Sequence, residues 1–67
     1  MVNSVAIKQR AKEKDIRLKE MARAMGVKQP TANQKINNIR PMLLEEAEKL
    51  AQLLGISDEE FRFYFFV

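Results

Sequence analysis

Residues 18–37 read LKEMARAMGVKQPTANQKIN, and the fold follows from how this stretch is punctuated. Met21, Ala22 and Met25 fall at i, i+1 and i+4, one apolar face of a short helix. Ala22 is small where a second helix has to cross closely. Gly26 follows the last apolar residue, the place where a left-handed helix end costs least without a Cβ. Val27 adds an apolar contact just past the turn. Pro30 suits the first position of a new helix, where its missing N–H would be unpaired anyway. Because the residue before a proline is steered away from helical angles, the second helix is predicted to start at Pro30, with Gln29 outside it. Ala32 and Ile36 face inward, leaving Gln29, Thr31, Asn33, Gln34, Lys35 and Asn37 to the outside.

A small residue, a glycine four positions on, and then a polar second helix is the arrangement of a helix-turn-helix. Outside this stretch, Ile16 precedes the motif and LAQLLGISDEEF (residues 50–61) follows it. With Ala22, Gly26 and Val27, these residues resemble the DNA-binding region of Cro- and repressor-type phage regulators, the lambda-repressor-like (XRE) helix-turn-helix family. The resemblance runs from about Ile7 to about Phe61. It implies an all-α, compact domain of four to five helices, with the whole chain, 1–67, as one domain and the motif at about 18–37. Three positions depart from the family pattern. The family commonly has a Ser or Thr cap where Arg17 stands, and at Leu18 a glutamine that touches the DNA backbone, which leucine cannot do. Pro30 occupies a position where relatives often carry a side chain that reaches DNA.

Composition narrows the function. Sixty-seven residues allow one small core, burying only about 60% of the unfolded surface. There is no cysteine, so no disulfide or thiolate metal site, and no histidine, the commonest general base and metal ligand. No catalytic residue, metal or cofactor is expected, since the remaining glutamates sit on helix starts and exposed faces. Gly26 and Gly55 are the only glycines, which rules out a glycine-rich phosphate loop. No apolar run approaches the roughly 20 residues of a membrane span. Without an apolar leader at the N-terminus, a cytoplasmic, DNA-associated location is the expectation. A net charge of +3 suits a polyanionic partner.

In chain order, Asn3 or Ser4 caps a first helix, SVAIKQRAKEK, with Ile7 and Ala11 on its inner face. Lys8, Arg10, Lys12 and Lys14 make the rest of it basic, either a solvated face or a flank that meets phosphate. After Arg40-Pro41 a fourth helix, LLEEAEKLAQLL, carries a stripe of Leu43, Ala47, Leu50, Ala51 and Leu54, and its acidic polar face should point away from DNA. Ser57 and Glu60 form a capping box that opens a fifth helix. Residues 61–67, FRFYFFV, hold every aromatic side chain of the protein and are read as helix, with a strand as the second option. So many rings exceed what a chain this small can hide. Phe61, Phe63, Tyr64, Phe65 and Phe66 are therefore assigned to a protein interface, with ordinary closure of the core as the plainer reading.

The family resemblance places Gln29, Asn33 and Gln34 against base edges. Their carboxamides offer a donor beside an acceptor, which matches adenine N6 and N7. Arg17, Lys19, Lys28, Lys35, Asn37 and Arg40 are the phosphate candidates. Two functions compete. One is a small phage- or prophage-type transcriptional regulator, a homodimer on double-stranded operator DNA. The other is an antirepressor-like modulator that binds a repressor protein instead. Leu18, Pro30, the absence of arginine from the second helix and the aromatic tail favour the latter.

Overall fold

The computed structural model describes residues 1–66 and contains five helices. They are α1 (Ser4–Glu13), α2 (Leu18–Met25), α3 (Gln29–Ile36), α4 (Leu44–Leu54) and α5 (Asp58–Phe65). No strand occurs among the described residues. Helix α2 packs on both α3 and α4, and α1 packs on α5.

The helix ends follow local chemistry. The Asn3 side chain caps α1 by accepting from the Ala6 N–H at 3.1 Å. Gly26 ends α2 at φ +75° and Gly55 ends α4 at φ +67°, angles at which a Cβ is penalised. Ser57 Oγ accepts from the Glu60 N–H, and Glu60 reaches back to the Ser57 N–H at 3.2 Å, the reciprocal capping box. Arg17 and Leu43 cannot cap with their side chains, yet Glu20 and Glu46 accept their backbone N–H groups at 3.0 and 2.9 Å.

The core is closed by Ile7, Ile36, Leu50 and Leu54, all fully buried, with Met21, Ala22, Met25, Ala32, Ala47 and Ala51 packed among them. Val2 is buried too, because the N-terminal residues dock back on the chain: the Asn3 N–H donates to the Tyr64 carbonyl at 2.7 Å.

Four expectations need correction. Helix α3 begins at Gln29, one residue before Pro30, since proline's missing N–H is tolerated anywhere in the first turn. Leu43 is not part of the buried stripe; it stands at the start of α4, 60% exposed. Glu46 is not on the acidic outer face but buried, because it has a cationic partner in α3. The aromatic segment is helical and divides unequally. Tyr64 and Phe65 are buried in the core, with the Phe61 ring 4.8 Å from that of Phe65, while Phe63 and Phe66 are about 60% exposed. Rings at i and i+4 share a face that α5 turns toward the molecule, which removes Tyr64 and Phe65 from any surface for a partner. Val67 lies outside the described residues.

Candidate nucleic-acid interface

Helices α2 and α3, joined through the Gly26 turn, leave an open groove between them. Its apolar lining is Leu18, Ala22, Val27 and the exposed Pro30. Its rim is cationic and polar, made of Lys19 and Arg23 from α2, Lys28 from the turn, and Gln29 and Asn33 from α3. Lys19, Arg23, Lys28, Gln29 and Asn33 are all exposed. Among the described residues, the ion pairs are Arg10–Glu60 and Lys35–Glu46, so none of the three rim cations is neutralised by a carboxylate. Helix α3 has no side-chain cap: Lys28, a cation, occupies the cap position. Backbone donors and cations together at a helix start favour an anion.

Gln29, Asn33 and Asn37 lie on one i, i+4 row of α3. Gln29 and Asn33 reach the groove. Gln34 does not: it is half-buried on the next row with Pro30, and its carbonyl accepts from the N–H groups of Ile39 and Arg40.

Two of the phosphate candidates are otherwise engaged. The Lys35 ammonium lies 2.6 and 2.8 Å from the two carboxylate oxygens of Glu46, and both side chains are nearly buried. Burial alone would raise the Glu46 carboxyl. The Lys35 hydrogen bond, the Leu43 N–H and the charges of Lys35 and Arg40 outweigh it and hold the group below its ordinary value. Lys35 therefore joins α3 to α4. Asn37 is half-buried, with its carboxamide bonded to Lys8 and Asn33. Arg17, Lys19, Lys28 and Arg40 are exposed.

Arg23 was missed in the sequence, although it sits at i, i+4 from Lys19 on the polar side of α2 and that spacing could have found it. Arg10, placed among the basic flank of α1, turns inward instead. Its Nε and Nη2 donate to the carbonyls of Leu54 and Gly55 at 3.0 and 2.6 Å, and Nη1 is 3.6 Å from Glu60. It closes the C-terminal end of α4. No group of three or more carboxylates that could hold a metal occurs among the described residues. Nor is any described helix long and apolar enough to cross a membrane.

Comparison with curated proteins and with solved structures gives no match. A family model described as helix-turn-helix matches residues 7–61, which is most of the chain and includes the whole groove. The chain belongs to the lambda-repressor-like (XRE-type) helix-turn-helix family, a family of DNA-binding transcription regulators.

Proposed function

We propose that this protein is a small phage- or prophage-type regulator that binds operator DNA as a dimer, inserting the Gln29–Asn37 edge of α3 into the major groove. The observation that carries the reading is the composition of the α2–α3 groove: three unpaired cations around two outward carboxamides, at the uncapped start of the second motif helix. Lys19, Arg23 and Lys28 hold phosphates, with Arg17 and Arg40 beyond them. Gln29 and Asn33 read bases, with Gln34 on the neighbouring row. Pro30 and the rest of the apolar lining suit a thymine methyl.

One feature supports a dimer. Phe63 stays exposed on α5 and Phe66 just past its end, with Val5 beside Phe63 and Met1 and Ile39 beside Phe66, large apolar side chains that a second copy would cover.

The test is binding to duplex DNA titrated from about 50 to 200 mM salt, with sedimentation of the free protein alongside. Sequence-selective binding with log K falling steeply in log salt supports the reading. The second reading, a modulator that binds a repressor protein, is favoured by one specific observation. Leu18 lines the groove where the family carries a backbone-contacting glutamine. It predicts duplex ignored even at the lowest salt.

A further inference from the structure

Asn33 does not present its carboxamide freely. The Lys8 ammonium on α1 donates to Asn37 Oδ1. Asn37 Nδ2 in turn donates to the Asn33 carbonyl at 2.8 Å and to Asn33 Oδ1 at 3.0 Å. The direction of this chain is forced by its first member. An ammonium can only donate, so the oxygen of Asn37 must face it. The Asn37 NH2 must then face Asn33, and the oxygen of Asn33 must turn back to receive it. What Asn33 offers outward, at the rim of the groove, is its NH2 group, which has no partner among the described residues.

We infer that Lys8 and Asn37 are positioning residues that fix the polarity of Asn33, so that Asn33 reads its base as a hydrogen-bond donor. This rests on the operator-binding reading above. In the major groove an outward donor meets guanine N7 and O6, adenine N7 or thymine O4, whereas cytosine presents only its N4 amino group, another donor. Asn33 therefore selects a base with an acceptor edge and rejects cytosine.

The experiment selects binding sites from random duplexes with the full chain. The base read by Asn33 is then the position whose preference Asn33→Ala abolishes. Wild type, Lys8→Met, Lys8→Arg and Asn37→Asp are compared on all four bases there, each variant checked for helical content. Wild type is expected to disfavour cytosine by about tenfold or more, the scale of one good base contact. Lys8→Met should flatten that preference, and Lys8→Arg, also donor-only, should restore it. Asn37→Asp replaces the donor with an acceptor, so the Asn33 NH2 swings inward, its oxygen turns outward, and cytosine becomes tolerated. Unchanged base profiles in Lys8→Met and Asn37→Asp overturn the inference. So does uniform weakening by Lys8→Met with a salt slope reduced by about 0.9, the mark of a plain phosphate contact. If wild type selects no sequence at all, the operator-binding reading itself fails, an outcome distinct from these.

Discussion

Lys35 in the second motif helix and Glu46 in α4 form a nearly buried ion pair, with both carboxylate oxygens within 2.8 Å of the ammonium. The same carboxylate caps the Leu43 N–H, so one side chain both starts α4 and ties it to α3. Removing either partner leaves the other charge with little access to water. Glu46→Ala and Lys35→Met should each cost about 2 kcal/mol, the scale of a hydrogen bond to a charged group, and a double-mutant cycle in urea should show strong coupling. The pH dependence has a definite sign. The Glu46 carboxyl is held below its unfolded value of 4.5, so its contribution is present above that pH and fades as pH falls through the lower, folded value. Stability should drop below about pH 4.5, and less steeply in Glu46→Gln. Equal acid sensitivity in that variant would refute the assignment.

Charge on α3 and charge on the groove rim should behave differently toward DNA. Lys19, Arg23 and Lys28 are exposed and unpaired, so replacing each by alanine should reduce the slope of log K against log salt by about 0.9. Lys35→Ala should leave that slope unchanged, because its charge is already met by Glu46. A slope that falls on loss of Lys35 and holds on loss of Arg23 would reverse the assignment of this surface.

What the sequence could and could not reveal divides along the range of the interactions. Gly26, Gly55 and the Ser57–Glu60 box act within a few residues, and their readings carried over to the helix ends they mark. The apolar periodicity of α2 and α3 likewise named Met21, Ala22, Met25, Ala32 and Ile36 as buried. Beyond local slips at the start of α3 and at Leu43, what the sequence left unseen is side chains whose partners are distant in the chain. Lys35, Asn37 and Arg10 look like ordinary exposed polar residues until the fold brings Glu46, Lys8 and the end of α4 to them. The aromatic tail was too short for its period to decide between helix and strand. Only packing against the core sorts Tyr64 and Phe65 from Phe63 and Phe66.

Arg10 gives a test of one such distant partnership. It donates to two carbonyls at the end of α4, where orphan acceptors and the helix dipole both favour a cation. Arg10→Ala should lower stability by about 1–2 kcal/mol, and Arg10→Lys should recover part of it, since an ammonium cannot reproduce the fork. DNA affinity per folded molecule should not change. If thermal unfolding is unaltered while the salt slope falls, Arg10 belongs to the phosphate surface instead.

Asn38 provides the last prediction. Its Oδ1 accepts from the Val2 N–H and its Nδ2 donates to the Val2 carbonyl, both at 2.9 Å, so one side chain satisfies a backbone unit as a neighbouring strand would. Nδ2 also reaches Ser4 Oγ at 3.2 Å, and Ser4 Oγ donates to the Ile36 carbonyl, which links the start of α1 to the end of α3. Asn38 itself sits at φ +62°, a left-handed conformation that asparagine tolerates and alanine does not. Two separable costs follow. Asn38→Gly removes the side-chain bonds but keeps the backbone comfortable, at about 2 kcal/mol. Asn38→Ala adds the left-handed penalty, for a total of about 3 kcal/mol. Asn38→Asp keeps only the acceptor for the Val2 N–H and should fall between wild type and glycine. Chemical denaturation of the four proteins gives the order directly. Should alanine and glycine both come within about 0.5 kcal/mol of wild type, as ordinary surface substitutions do, the N-terminal residues are not held by Asn38. If instead alanine and glycine are equally destabilising, the backbone at this position is not under the constraint that its φ implies.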